Sequence, residues 1–214
     1  AIGLGSDATA VGATAVGRLA QATFAGATAI GVDSRATALS TTATGNNSGA
    51  TGTNASAFGA NANATAFSTA NGAFAGATGG QSVAVGSSSG ATAVETTALG
   101  YVARATGFAS TAVGSISTAS GSEAVAVGRR SQATGDRSTT TGTDSVASGI
   151  LSTADGYLAT ASGQGSTSVG ALSDAIGLNS SALGAGAQAT GSLATAVGAG
   201  AISSSTGATT TGYA

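Results

Sequence analysis

The side chains that could perform chemistry in this chain are aspartate, glutamate, arginine, serine, threonine and tyrosine, because its 214 residues include no histidine, cysteine or lysine. An imidazole base, a thiolate nucleophile, a soft metal ligand and a Schiff-base amine are therefore excluded. Aspartate is sparse, and the GGxGxD nonapeptide of calcium-binding β-rolls is missing. We predict that the chain is not an enzyme and that it holds no metal and no cofactor.

The overall charge argues against two further classes of partner. Charged residues make up 7% of the chain and the formal net charge is −2, so there is no basic patch of the kind that nucleic acid or an anionic membrane surface requires. No stretch approaches the roughly 18 consecutive apolar residues of a membrane-spanning helix. We expect a fragment of a longer chain that forms one domain over residues 1–214 and contacts neither nucleic acid nor membrane.

Glycine recurs at every seventh residue. From Gly100 to Gly212 the period fails only at Ser205, which gives 16 glycines in 17 positions. Residues 67–72 form a unit of only six, which we interpret as a deletion tolerated in a turn. Glycine at this frequency would cost an α-helix about 1 kcal/mol per residue relative to alanine, so the period favours short strands joined by turns.

With glycine numbered as position 7, the heptads alternate between two kinds, and the true period is 14. Position 6 is mostly Val, Ile, Leu or Phe in one kind, the apolar strands, and Thr or Ser in the other, the threonine strands. Position 5 is nearly always Ala, and position 3 is Ser, Ala or Thr. Positions 3 and 5 therefore face one way and positions 4 and 6 the other, which is the alternation of a β-strand.

Stacking of the 14-residue units pairs each strand in parallel with its equivalent one coil later, about 4.8 Å away. The sequence thus predicts an all-β parallel β-roll solenoid of about 15 coils. Positions 3 and 5 fill a thin interior of alanine and serine, which buries little apolar area. A single roll should be marginally stable on its own.

The apolar strands present an outward ladder longer than the exposed patches that monomers tolerate. A closed cyclic oligomer would bury this ladder. The residues predicted to form the core of that oligomer are Val16, Ile30, Phe58, Val85, Leu99, Val113, Val127, Val169, Leu183 and Val197. Asp155 is the one charge in the ladder, and we predict a polar, hydrated layer there with Thr141 directly below it.

The threonine heptads carry nine of the 14 charged residues and form the face that we expect to remain in solvent. The residues that we select as a candidate ligand face are Arg35, Arg104, Arg129, Arg130 and Gln132. The adjacent Arg129 and Arg130, together with Arg137, are more typical of an exposed, solubilising turn than of a ligand contact.

The periodic glycine has two possible causes, a positive φ in the turn or the close packing of one turn on the next. On the threonine strands its position is also occupied by larger residues, which favours the second cause there. These residues are Ala10, Phe24, Ala38, Ala66 and Ala93.

The segments Gln81–Gly86 (QSVAVG, followed by Ser87, Ser88 and Ser89) and Asn179–Gly184 (NSSALG) resemble the head repeat of trimeric autotransporter adhesins, the YadA-like family, whose motif reads N-S-V-A-I-G-x-x-S. The resemblance extends over essentially the whole chain, although Gln81 and Glu123 stand where the motif has Asn. It implies a left-handed parallel β-roll, a homotrimer and display on the outer membrane surface of a Gram-negative bacterium. It also implies adhesion to host cells or to matrix proteins such as collagen, fibronectin or laminin.

Two alternatives stay open at this stage. The Thr/Ser ladder of the threonine strands is typical of an ice-binding solenoid, although position 4 on the same face carries long charged side chains such as Arg35 and Arg104. An inert spacer that holds another binding domain away from the cell is also compatible with the repeat. The sequence contains no pocket motif that identifies a ligand.

Overall fold

The computed structural model describes residues 1–212, which form a parallel β-solenoid of about 15 coils with a repeat of 14 residues. None of these residues forms a helix, and so none forms one that could cross a membrane. The chain divides into two compact units, Ala1–Ala105 and a second that begins at Thr106. The fold predicted from the glycine period is confirmed.

Each unit is built from two parallel sheets, one of odd-numbered and one of even-numbered strands. The strands of the first unit are β1 (Asp7–Ala8), β2 (Thr14–Val16), β3 (Gln21–Ala22), β4 (Thr28–Ile30), β5 (Arg35–Ala36), β6 (Thr42–Thr44), β7 (Gly49–Ala50), β8 (Ser56–Phe58), β9 (Asn63–Ala64), β10 (Thr69–Asn71), β11 (Gly76–Ala77), β12 (Val83–Val85), β13 (Gly90–Ala91), β14 (Thr97–Leu99) and β15 (Arg104–Ala105). Those of the second unit are β16 (Thr111–Val113), β17 (Thr118–Ala119), β18 (Val125–Val127), β19 (Gln132–Ala133), β20 (Thr139–Thr141), β21 (Val146–Ala147), β22 (Thr153–Asp155), β23 (Thr160–Ala161), β24 (Thr167–Val169), β25 (Asp174–Ala175), β26 (Ser181–Leu183), β27 (Gln188–Ala189), β28 (Thr195–Val197), β29 (Ile202–Ser203) and β30 (Thr209–Thr211).

The two kinds of strand differ in length. The apolar strands, which have even numbers, contain three residues, whereas the threonine strands, which have odd numbers, contain two and end before position 6. In the second unit, the amides of Ser120 (position 6) and Gly121 (position 7) both donate to the Ala133 carbonyl oxygen, at 2.9 and 3.4 Å. The threonine ladder at position 6 therefore lies outside the odd-numbered strands, beside the turn, rather than on a flat strand. The prediction that both kinds of strand include position 6 is wrong for the odd ones.

The interior consists of small side chains, as predicted. Alanines at position 5, such as Ala84 and Ala126, are fully buried, and position 3 contributes further buried alanine, serine and threonine. Many serine hydroxyls at position 3 bond to the turn before them: Ser131 Oγ donates to the Gly128 carbonyl oxygen at 3.0 Å, and Ser173 Oγ donates to that of Gly170 at 2.8 Å. The buried hydroxyls that have no hydrogen-bond partner within residues 1–212 are those of Ser138, Thr140, Ser166 and Ser180. Burial of serine costs little at the positions where its hydroxyl has such a partner within its own turn.

The coil shortened by one residue keeps its strand register. Ser56 pairs with Thr69 and Asn63 with Gly76, an offset of 13 in place of 14. The missing residue falls in the turn between Ala64 and Thr69, so the deletion changes the turn and leaves the strands in line.

The periodic glycines adopt two conformations. After the apolar strands their φ is positive, as at Gly128 (+132°) and Gly142 (+124°), and all of the corresponding positions in the chain are glycine. After the threonine strands, glycines such as Gly121 and Gly135 do not have a positive φ. A Cβ at Gly121 would instead lie 2.1 Å from the Gly135 carbonyl oxygen. Close packing between turns, the cause favoured for the threonine strands, is confirmed there.

Each turn also places its second residue in the left-handed region, and most of these residues are not glycine. Asn179 has a φ of 50°, Gln81 of 58° and Ile116 of 62°. This is the first position of the N-S-V-A-I-G motif, and asparagine suits it because its short polar side chain tolerates left-handed backbone. The β-branched side chains of Ile116 and Val102 are the least suited to it.

Replacing Ile116 by asparagine is expected to stabilise the protein by roughly 1 kcal/mol, because the branched Cβ is strained at this φ and the side chain is already 43% exposed. The free energy of unfolding in urea measures the effect. Ile176→Asn is the matched control, because Ile176 is similarly exposed but does not have a positive φ. Equal changes in the two variants would contradict the explanation.

Candidate binding face

The odd-numbered strands present one polar outer face in each unit. In the first unit, position 4 forms a column of side chains paired coil by coil, which runs Asp7, Gln21, Arg35, Gly49, Asn63, Gly76, Gly90 and Arg104. In the second unit the column runs Thr118, Gln132, Val146, Thr160, Asp174, Gln188 and Ile202. Both columns mix charges, amides and residues with short side chains, so the face has no uniform chemistry.

The five candidate ligand residues do not form one cluster. Arg35 and Arg104 are the exposed first residues of β5 and β15. They lie five coils apart in the first unit, a separation of about 24 Å at 4.8 Å per coil. In the second unit Gln132 is exposed on β19, and Arg129 and Arg130 precede it in the turn. Because of this separation, a small ligand could contact either Arg35 or Arg104 but not both.

One candidate, Arg130, is already engaged by an acidic residue of the next coil. Its Nη2 donates to Asp144 Oδ2 at 2.7 Å and its Nε to Asp144 Oδ1. The hydrogen bond to Asp144 raises the pKa of the Arg130 guanidinium, and the same bond lowers the pKa of the Asp144 carboxyl. A further ion pair, between Arg18 and Asp33, is longer, at 3.5 Å. Arg130 therefore offers a ligand less free charge than Arg35 does.

An NMR pH titration should find Asp144 titrating below the usual aspartate value of about 3.9. Since its pKa is lower in the folded chain, the pair contributes stability above the unfolded-state value, and this contribution is lost as the pH falls through the folded-state pKa. Arg130→Gln should return the Asp144 titration toward the usual value, whereas Arg137→Gln, the control, should leave it unchanged. An unshifted Asp144 in the parent protein would refute the assignment.

The outer face of the even-numbered strands carries the apolar ladder. In the isolated chain its members point outward and are partly exposed, for example Ile30 (41%), Phe58 (39%) and Leu183 (37%). Asp155 lies in line with this ladder, paired with Thr141 in one neighbouring coil and Val169 in the other. Thr141 Oγ1 donates to Asp155 Oδ1 at 2.6 Å, so the expected placement of Thr141 is confirmed.

A second ladder beside the apolar one was not predicted from the sequence. Position 4 of the even-numbered strands is mostly threonine, as in Thr14, Thr28 and Thr42 of β2, β4 and β6. The recurring tripeptides Thr-Ala-Val, Thr-Ala-Ile and Thr-Ala-Leu were the signal for it. The even face is therefore an alternation of hydroxyl and aliphatic columns, with few charges.

Comparison with protein families gives a match to the YadA head domain repeat. The matched segments cover more than half of the chain and lie in both units: residues 8–34, 25–48, 77–103, 91–115, 105–131, 119–145, 141–157, 147–173 and 175–201. The chain belongs to the YadA head repeat family. Among curated proteins, no match was found.

A solved structure similar to this YadA-type chain is the collagen-binding domain of the Yersinia adhesin YadA. The two are 28% identical, with a TM-score of 0.51, and the match covers 64% of this chain and 69% of the other. YadA-like head repeats are surface-exposed adhesin domains and not an enzyme family. The likeness therefore supports an adhesin-type function for this chain.

Proposed function

We propose that this chain is the head of a bacterial cell-surface adhesin. It assembles as a homotrimer through the apolar ladder and attaches the cell to host cells or extracellular-matrix proteins through the outer face of its odd-numbered strands. The observation that carries the proposal is the match to YadA head repeats along most of the chain, together with the likeness to a collagen-binding domain.

The distribution of side chains supports this division between the faces. The even face carries aliphatic side chains that are partly exposed in the single chain, which is unfavourable unless a partner covers them. The odd face carries Arg35 and Arg104, which form no ion pair within residues 1–212, and amides such as Gln132. These side chains remain accessible if the even faces meet. The residues proposed to line the trimer core are those of the apolar ladder, from Val16 to Val197.

Attachment through a repetitive face gains its strength from many weak contacts. Among the described residues of the odd face, none stands out as a single dominant contact for a ligand. Three heads in one trimer would instead bind a fibrous ligand at several places at once. Gln81 and Glu123, which stand where the motif has Asn, lie in left-handed corners just before β12 and β18. These two residues keep the backbone conformation of the corner but present different side chains from asparagine. The surface is therefore also compatible with a matrix ligand other than collagen.

A solid-phase binding panel tests the proposal. Purified trimer is applied to immobilised collagen, fibronectin and laminin, and is compared with a variant that carries Arg35→Gln, Arg104→Gln, Arg129→Gln and Arg130→Gln. We expect saturable binding to at least one matrix protein, reduced several-fold in the variant and by added salt. No binding to any matrix protein or host cell would contradict attachment and leave a spacer. Thermal hysteresis in solution would point instead to ice binding, which is disfavoured because the threonine ladder lies beside the turn rather than on a flat strand.

A further inference from the structure

A polar notch of about 290 Å³ opens on the odd face of the first unit. Six residues from three neighbouring coils supply its polar surface and its floor: Arg35, Asn47, Gly49, Thr51, Asn61 and Asn63. The candidate ligand face recognised from the sequence includes only Arg35 of this group.

The notch exists because one side chain is missing from the position-4 column. Gly49 of β7 pairs with Arg35 of β5 on one side and with Asn63 of β9 on the other. Its neighbours therefore stand about 9.6 Å apart across a bare backbone, at 4.8 Å per coil. A Cβ at Gly49 would lie 3.6 Å from Asn63 Oδ1, which is ordinary contact. Any larger side chain at residue 49 would fill the gap.

One wall of the notch is a pair of stacked amides. Asn47 Nδ2 donates to Asn61 Oδ1 at 2.8 Å, and both residues are held in left-handed turn conformations, with φ of 53° and 55°. This bond leaves Asn47 Oδ1 as an acceptor and Asn61 Nδ2 as a donor. Together with the Asn63 amide and the Thr51 hydroxyl, the notch offers both donors and acceptors, which is what a group of neighbouring hydroxyls needs.

Arg35 is the charged residue of the notch. Within residues 1–212 the ion pairs are Arg18 with Asp33 and Arg130 with Asp144, so Arg35 has no acidic partner there. A guanidinium group binds a carboxylate with two parallel hydrogen bonds. The site therefore combines one cation for a carboxylate with several groups for hydroxyls, and it presents no aromatic or large aliphatic side chain for an apolar ligand.

We propose that this notch binds one carboxylated sugar unit of an acidic glycan. The volume lies at the lower end of ligand sites, which begin at about 300 Å³, and so accommodates a single sugar unit rather than a folded peptide. The carboxylate pairs with Arg35, and the ring hydroxyls bond to Asn47, Asn61 and Asn63. The inference deepens the proposed attachment function, on which it rests, by giving one part of the odd face a ligand class.

The test is an NMR titration of the ¹⁵N-labelled protein with glucuronic acid and N-acetylneuraminic acid, with glucose and acetate as the comparison ligands. The side-chain amide signals of Asn47, Asn61 and Asn63 are expected to shift with the two acidic sugars, and much less with glucose or acetate. Arg35→Gln should weaken binding at least about tenfold, as the loss of a charge-assisted pair predicts. Gly49→Thr should abolish it by filling the notch.

Both substitutions copy residues that the chain already uses in its position-4 columns, glutamine at Gln21 and threonine at Thr118, so the fold should be kept. Arg137→Gln is the control, because Arg137 is an exposed arginine of the second unit that belongs neither to the notch nor to the candidate ligand face, and this variant should bind like the parent. Absent shifts with the acidic sugars, equal shifts with acetate, or an equal loss in Arg137→Gln would each overturn the inference. If the protein binds matrix proteins but its amide signals do not shift with the acidic sugars, this inference alone is refuted. If the amide signals shift with the sugars but the protein attaches to no matrix protein, only the proposed function is refuted.

Discussion

Alanine in place of Gly128 is expected to destabilise the protein by about 3 kcal/mol or more. Two effects act together at this residue. Its φ of +132° is strained for any side chain, and the added Cβ would lie 2.2 Å from the Gly142 carbonyl oxygen in the next coil. The turn cannot move outward to relieve this overlap without breaking the bond from the Gly128 amide to the Val113 carbonyl oxygen, which is 2.8 Å long.

Two further variants separate the causes. Gly135→Ala introduces a similar overlap, 2.1 Å from the Gly149 carbonyl oxygen, at a residue without positive φ. Since alanine occurs at the equivalent positions Ala38 and Ala93, that turn can adapt, and we expect a loss of roughly 1–2 kcal/mol. Gly90→Ala has open space and no positive φ, so its stability should stay within about 1 kcal/mol of the parent.

The measurement is the free energy of unfolding in urea, or the thermal midpoint, at one fixed protein concentration, because oligomerisation would make the midpoint depend on concentration. The expected order of loss is Gly128→Ala, then Gly135→Ala, then Gly90→Ala. If Gly128→Ala is as stable as Gly90→Ala, positive φ and coil packing do not make this glycine necessary.

The features of the fold that could be predicted from the sequence are those that follow from its two repeats, of two and of 14 residues. Alternation over two residues fixes which side chains face inward, and the 14-residue period fixes which strands pair, so the burial of Ala84 and the pairing of Val85 with Leu99 follow directly. The difference in strand length does not follow, because it depends on where the backbone leaves the hydrogen-bonded ladder, for example at Ser120 and Gly121, whose amides both donate to one carbonyl oxygen in the next coil. Residue types at positions 6 and 7 do not reveal that geometry.

The candidate site was harder to predict for the same reason. Arg35 was selected from the sequence as one residue of the candidate ligand face, whereas the notch beside it depends on Gly49, which in the sequence is one small residue among 36 glycines. Gly49 becomes informative only when position 4 is compared from coil to coil, between Arg35 and Asn63. The Asn47 and Asn61 pair also needs the coils to stack, since its hydrogen bond joins residues 14 apart.

Aspartate in place of Leu183 is expected to dissociate the proposed trimer. Leu183 lies between Val169 and Val197 in the apolar ladder, so these two neighbours in its column offer the new carboxylate no hydroxyl partner. An unpaired charge buried at an interface costs about 3–5 kcal/mol, and three chains would bring three such charges together near the axis. Light scattering should report a trimer for the parent and monomers for the variant at micromolar concentration.

The effect of a charge in the apolar ladder depends on its neighbours in the adjacent coils, as the natural Asp155 shows. It tolerates its charge beside Thr141, whose hydroxyl donates to it at 2.6 Å, whereas Leu183 has aliphatic neighbours in both adjacent coils. Leu183→Asn, a polar but uncharged change, should therefore weaken the trimer less than Leu183→Asp. The matched control is Ile176→Asp on the odd face, where the side chain is 50% exposed and solvent remains available to the carboxylate. A trimer that survives Leu183→Asp, or dissociates equally in Ile176→Asp, would show that the even face is not the interface.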